Sequence, residues 1–76
     1  MMRKSIGQLI SEKRKKRKLT QRQLAEKAGV GLRFIRELEK DKSTLQINKV
    51  NQVLFLFGLE LGAVELDRER LLNEES

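Results

Sequence analysis

The chain has 76 residues and a formal net charge of +6, from 17 basic and 11 acidic side chains. A chain of this length forms one small domain, because it buries only about 60% of the surface that it exposes when unfolded. It contains no cysteine, histidine, tyrosine or tryptophan, which removes disulfides, soft metal ligands and most general bases and nucleophiles, so we expect no enzymatic activity, cofactor or metal.

The charge is unevenly distributed along the chain. Residues 1–42 carry 14 basic and 5 acidic side chains, a net of +9, whereas residues 43–76 carry 3 and 6, a net of −3. A basic front half suggests a polyanionic partner. No run approaches the ~18 apolar residues of a membrane span, and residues 1–4 do not begin a signal peptide. We therefore expect a cytoplasmic protein without membrane contact.

Two helix starts are marked by a hydroxyl residue followed three positions later by glutamine. Ser5 with Gln8 and Thr20 with Gln23 have this capping-box spacing, in which each side chain accepts a bond from the other residue's backbone N–H. The spacing predicts a first helix over residues 6–17, with an apolar stripe of Ile6, Leu9 and Ile10. A second helix is predicted from Gln21 to the Ala28–Gly29 pair.

Two further helices follow. After Gly29, Ile35 and Leu38 define the buried edge of a third helix, which a polar connector over residues 40–46 separates from the fourth. The fourth helix ends at Gly58 and is the most apolar part of the chain, so we expect it to anchor the core. Its apolar positions are Ile47, Val50, Val53, Leu54 and Phe57.

The segment after Gly58 has two interpretations. Leu59 and Leu61 alternate with polar residues as in a strand, but the phase changes at Gly62, and a helix over the same residues competes. Glycine in a helix costs about 1 kcal/mol, which favours an extended segment. The predicted fold is therefore all-α: a helix-turn-helix domain over residues 1–58, an extended segment over 59–66 and a flexible acidic tail over 67–76.

Residues 21–40 carry the pattern with the clearest functional meaning, two short helices joined by a three-residue turn. Ala25 is small because the next helix crosses close to it, and Gly29 supplies the positive φ that the turn needs. Five apolar residues should close the wedge between the helices: Leu24, Ala28, Val30, Ile35 and Leu38. With Thr20–Gln21 and Glu39, these positions resemble the lambda-repressor-like (Xre-type) helix-turn-helix regulators over residues 5–58. The alternative is a helical bundle whose apolar stripe is merely core.

The resemblance implies specific roles. The base-reading positions of the family fall on Leu32, Arg33, Arg36 and Glu37, and the fork of Arg33 matches O6 and N7 of guanine. The phosphate contacts fall on Gln21, Arg22, Lys40, Lys42, Ser43 and Thr44. Arg14 and Glu39 form an internal ion pair in many relatives, and Phe34 is expected to pack rather than to wedge into DNA. Gly31 departs from the usual Ser or Thr cap.

The expected function is an operator-binding repressor, acting on the nucleoid as a homodimer. The segment 59–66 would pair across the two-fold axis, with Leu59, Leu61 and Ala63 in the interface. Its position after the fourth helix is similar to HipB-like antitoxins, which implies autoregulation and a HipA-type kinase toxin as partner. The alternatives are a free-standing phage-type or metabolic repressor and an adaptor that binds an acidic protein or RNA. The basic run 13–18 is expected to form a phosphate-facing rim rather than a nuclear-localisation signal.

Overall fold

The computed structural model describes residues 4–42 and 44–63. They form four α-helices, and no strand occurs among them: α1 (Ile6–Lys16), α2 (Gln21–Ala28), α3 (Leu32–Glu39) and α4 (Ile47–Leu56). Helix α3 packs against both α1 and α2, and α2 also packs against α4. The predicted all-α, four-helix architecture is confirmed.

Both predicted capping boxes start their helices. The Gln8 backbone N–H donates to Ser5 Oγ at 3.1 Å, and the Ser5 N–H donates to Gln8 Oε1 at 3.1 Å. At α2, Gln23 and Thr20 exchange the same two bonds at 3.0 and 2.8 Å. These bonds satisfy N–H groups that have no partner inside the helix, so each helix begins at the residue the spacing predicts.

Each of the four helices is followed, within two positions of its last residue, by a residue in the left-handed region, and two of these residues are glycines. Gly29 and Gly58 both have φ of +73°. The next N–H then turns back to the helix, from Val30 to the Ala25 carbonyl and from Leu59 to the Leu54 carbonyl, each at 3.0 Å. This closure satisfies carbonyls of the last turn, as the sequence predicts at both glycines.

The other two helices close in the same way without glycine, which the sequence reasoning missed. Lys18 and Asp41 have φ of +57° and +58°. Leu19 N–H donates to the Arg14 carbonyl at 3.1 Å, and Lys42 N–H donates to the Glu37 carbonyl at 3.2 Å. The left-handed region is unfavourable for most side chains with a Cβ, so these helix ends lack the glycine that marks the other two in the sequence.

The core is apolar and lies between the four helices. Among the described residues, no charged or polar side chain is buried. The wedge that the sequence predicts is confirmed, since four of its members are buried and Val30 is half-buried against them, and Phe34 packs there as expected. The buried apolar residues are Ile10, Leu24, Ala25, Ala28, Ile35, Leu38, Val50, Val53 and Leu54.

Two apolar side chains expected on the core, Ile6 and Ile47, are exposed, which corrects the predicted helix faces. Ile6 and Ile47 are 39% and 68% exposed, and each is the first residue of its helix. They line an open groove together with Leu45 and Leu61. Phe55 is 80% exposed, because it follows Leu54 by one position, about 100° around the helix.

Helices α1 and α3 lie close together at Gly7, a buried residue in the first turn of α1. A Cβ added there would lie 2.7 Å from the carbonyl oxygens of Leu38 and Glu39 and 2.8 Å from Asp41 Oδ1. The Gly7 N–H also donates to Asp41 Oδ1 at 2.7 Å. The start of α1 therefore lies directly against the end of α3, where a carboxylate meets the positive end of a helix dipole.

The segment after α4 lies against the core without regular structure as far as residue 63. Leu59 and Leu61 are half-buried and pack on the core, and Leu61 N–H donates to Asn51 Oδ1 at 2.7 Å. The competing helix over this segment is not formed between residues 59 and 63. Pairing across a dimer stays a prediction, and residues 64–66 and the predicted tail 67–76 lie outside the described residues.

No helix in the described part of the chain is long and apolar enough to cross a membrane. The longest is α1, with 11 residues, whereas a spanning helix needs about 20.

Candidate nucleic-acid interface

Helices α2 and α3 are joined by Gly29, Val30 and Gly31, the three-residue turn that the sequence predicts. Gly31 is the N-cap of α3 and makes no side-chain cap bond. A short connection between two packed helices fixes their relative orientation, which is the geometry of a helix-turn-helix. The second helix of such a unit can present its outer face to a groove.

A nearly buried ion pair lies beneath this unit. Arg14 on α1 donates two bonds to the Glu39 carboxylate on α3, at 2.8 and 3.1 Å, with side-chain exposures of 12% and 8%. A third guanidinium bond goes to the Leu19 carbonyl at 2.8 Å. The internal pair implied by the resemblance is confirmed. Because both charges are well hydrogen-bonded, the pair tolerates its burial and joins the ends of α1 and α3.

Gln21, an expected phosphate contact, is also part of this scaffold. Its Nε2 donates to Glu39 Oε1 at 3.3 Å, and the residue is half-buried. The neighbouring Arg22 is exposed. In the free chain the amide of Gln21 thus faces the ion pair, and a phosphate contact by either residue stays a prediction.

The outer face of α3 carries the residues expected to read bases. Ile35 and Leu38 are buried, which turns Arg33 and Arg36 outward, with 89% of the Arg33 side chain exposed. Leu32 at the start of the helix is half-buried. The structure therefore brings the two arginines to one solvent-facing surface.

Glu37 lies between two of the predicted DNA contacts. Its Oε1 accepts from Arg33 Nε and from Lys42 Nζ, each at 3.2 Å. The hydrogen bond from Lys42, supported by the charges of Lys42 and Arg33, holds the pKa of Glu37 below its ordinary value, against a smaller effect of desolvation. The sequence reasoning named these three residues as separate contacts and missed the bridge. The four-residue spacing of Arg33 and Glu37 was the available signal.

The connector after α3 places further cations beside this surface. Lys40, Lys42 and Thr44 are exposed, and Ser43 lies outside the described residues. At the end of α1, Lys15, Lys16 and Lys18 are exposed, as expected of a solvated rim. Exposed cations therefore lie in the connector after α3 and at the end of α1.

A helix-turn-helix on a packed scaffold, with arginines on the outer face of its second helix, defines the helix-turn-helix class of transcriptional regulators. The chain belongs to this family: the family described as helix-turn-helix domain matches residues 7–74. The expected membership among the Xre-type regulators is confirmed.

Two relatives are similar over most of the chain. The uncharacterised HTH-type transcriptional regulator y4mF of Sinorhizobium fredii is 52% identical over 56 residues, which are 74% of each chain. The immunity repressor protein of Bacillus phage phi105 is 35% identical over 71 residues, which are 93% of this chain and 49% of the repressor. The chain thus spans about half the length of the phage protein, and its membership does not depend on that match alone.

Proposed function

We propose that this protein is a repressor that binds a specific double-stranded operator through α3. The observation that carries the proposal is the outward-facing pair Arg33 and Arg36, held by a helix whose opposite face is buried. Major-groove readout requires a rigid helix with long donor side chains on one side. The similarity to the phage immunity repressor supports repression. Such a repressor acts in the cytoplasm on the nucleoid.

The proposed contacts divide into base reading and phosphate binding. Arg33 donates to guanine, Arg36 reads a neighbouring base or binds a phosphate, and Leu32 contacts a thymine methyl group. Cations around α3 bind the backbone and give salt-dependent affinity without base preference. The proposed phosphate contacts are Gln21, Arg22, Lys40, Lys42, Ser43 and Thr44.

The proposal is tested by selecting bound duplexes from a random pool and comparing the selected sequence with random DNA at several salt concentrations. Arg33→Ala should lower affinity for the selected sequence and relax preference at one base pair. Lys27→Ala is the matched control, because Lys27 is an exposed cation at the opposite end of α2 from Gln21. If the wild-type protein enriches no sequence, operator binding is wrong.

We further propose that the protein binds its operator as a homodimer closed by residues 59–66, with Leu59, Leu61 and Ala63 at the interface. Two-fold pairing would hold two recognition helices about one turn of DNA apart (~34 Å). Support comes from the way Leu59 and Leu61 hold the segment on the core. The competing interface is the flank of α4, since Phe55 is 80% exposed.

Sedimentation equilibrium separates the two interfaces. Ala63→Pro removes an N–H from the proposed strand pairing, and because Ala63 is exposed it should dissociate the dimer without disturbing the core. Ala63→Ser is its control, and Phe55→Ser tests α4. Dissociation by Phe55→Ser alone would reject the segment as the interface.

For the biological role we propose an autoregulating antitoxin of a HipA-type kinase toxin, supported by the resemblance of the segment after α4 to HipB-like antitoxins. The second candidate is a free-standing phage-type repressor, favoured by the 35% identity to the phi105 immunity repressor. A reporter assay distinguishes them. An antitoxin should bind the product of a neighbouring kinase gene and repress its promoter more strongly with it, whereas a phage-type repressor should repress fully alone.

A further inference from the structure

Glu37 is the most covered member of a three-residue charge cluster on the proposed DNA-binding face. Its side chain is 27% exposed, compared with 89% for Arg33 and 50% for Lys42. Both cations donate to the same oxygen, Oε1, and Oε2 has no hydrogen bond to any residue in the described part of the chain. The carboxylate therefore lies at the centre of the cluster, and the two cations lie at its more exposed edges.

We propose that Glu37 is a positioning residue that holds Arg33 and Lys42 together and raises operator specificity by weakening binding to other DNA. This inference rests on the proposed function, in which Arg33 reads a base and Lys42 binds a phosphate. It assigns to the carboxylate a role in discrimination that neither cation has alone.

On DNA without the preferred base, Arg33 has no bidentate acceptor in the groove and keeps its bond to Glu37. The three groups then present a net charge of +1 rather than the +2 of two free cations. Non-specific binding depends on the number of phosphates neutralised, with a salt slope of about 0.9 per contact. The carboxylate therefore removes about one contact from the non-specific complex.

On the operator, the same carboxylate weakens binding much less. Arg33 enters the groove already extended along α3, because the bond at 3.2 Å to a residue one turn on fixes its direction. A side chain that is already ordered loses less conformational entropy when it binds. The guanine contact is strong enough to replace or share the bond to Glu37, so the operator complex loses little from the carboxylate while random DNA loses a contact.

The test compares Glu37→Gln with Glu26→Gln in the full chain, on the selected duplex and on random duplex. Gln keeps the length and an acceptor oxygen but removes the charge. Glu26 is exposed on α2 and makes no ion pair with any residue that the structure describes. Glu26→Gln has the same net charge as Glu37→Gln, because each variant loses one carboxylate. Glu37→Gln should steepen the salt slope of binding to random DNA by roughly 0.9. Lowering the salt from 200 to 50 mM should then raise the affinity for random DNA about 3.5-fold more in this variant than in the wild type.

Two further readouts separate positioning from a general structural role. The ratio of operator to random affinity should fall at least about threefold in Glu37→Gln and remain unchanged in Glu26→Gln. In the free protein, the NMR signal of Arg33 Nε–H should move to the position of a solvated arginine in Glu37→Gln, while that of Arg36 stays in place. Thermal melting checks that both variants are folded.

Equal slopes and ratios in the two variants would overturn the inference, provided that wild-type protein prefers the selected duplex and Arg33→Ala relaxes that preference. Loss of preference at a base pair other than the one read by Arg33 would also overturn it, because Glu37 would then read a base itself. If wild-type protein shows no preference for any duplex, it is the proposed function that fails.

Discussion

Replacing Gly7 with alanine should destabilise the protein, although the same change in an exposed helix stabilises it by about 1 kcal/mol. The added methyl group would lie 2.7 Å from two backbone carbonyl oxygens of α3 and 2.8 Å from Asp41 Oδ1. Backbone atoms cannot move aside as a side chain can, so α1 must shift away. Overpacking of this kind costs about 1–3 kcal/mol, and the shift weakens a charge-assisted bond worth about 1.5–3 kcal/mol.

The net expected loss is about 2 kcal/mol, which for a domain of this size lowers Tm by roughly 8–16 °C. Urea unfolding followed by circular dichroism at one protein concentration measures it, and fixed concentration matters because dimerisation would add to stability. Gly62→Ala is the control, since a Cβ there meets nothing within 4 Å. If Gly7→Ala is as stable as Gly62→Ala, the close approach of α1 to α3 is refuted.

Four further substitutions test the interface and its scaffold. Arg33→Ala should weaken operator binding by about 1–3 kcal/mol and relax the preference at one base pair. Lys42→Ala should instead weaken binding to all sequences alike and reduce the salt slope by roughly one. Gel shifts at several salt concentrations measure both effects, and the reverse pattern would contradict the assignment. Arg14→Met should destabilise by about 3–5 kcal/mol in urea, because it leaves the Glu39 carboxylate nearly buried without its cation, and adding Glu39→Met should recover part of the loss. Lys18→Gly should stabilise by about 1 kcal/mol, since its φ of +57° favours glycine; a loss of stability would contradict the left-handed helix end.

The features that the sequence predicts correctly depend on residues close together in the chain. The capping boxes need two side chains three positions apart, and Gly29 marks its turn because a positive φ is cheap only without a Cβ. The outward direction of Arg33 follows from the buried positions of Ile35 and Leu38, because the regular period of a helix puts Arg33 on a different face from these two residues. Local geometry was sufficient for each of these.

The features that the sequence did not predict depend on tertiary contacts. Gly7 carries no local signal for the carbonyl groups of α3, which are more than thirty positions away in the chain. Ile47 was assigned to the core because it is apolar and in register with Val50 and Leu54, but its exposed fraction of 68% depends on the packing of the other helices. For the site, the resemblance suggested the individual DNA contacts. The ion pairs by which Glu37 joins Arg33 to Lys42 could be found only once the position of Lys42 was known.

Asp41 explains why the fold and the proposed interface are linked. Its left-handed backbone, with φ of +58°, reverses the chain after α3 and returns Lys42 to Glu37. The Lys42 backbone N–H donates to the Glu37 carbonyl and Lys42 Nζ donates to the Glu37 carboxylate, each at 3.2 Å. Its side chain meanwhile accepts the Gly7 N–H at 2.7 Å, which anchors the start of α1. One residue thus follows the end of α3, accepts an N–H from the first turn of α1 and sets the position of a proposed phosphate contact. We therefore expect a displacement of α1 at Gly7 to alter the charge cluster of α3 through Asp41, although α1 itself carries none of the proposed base contacts.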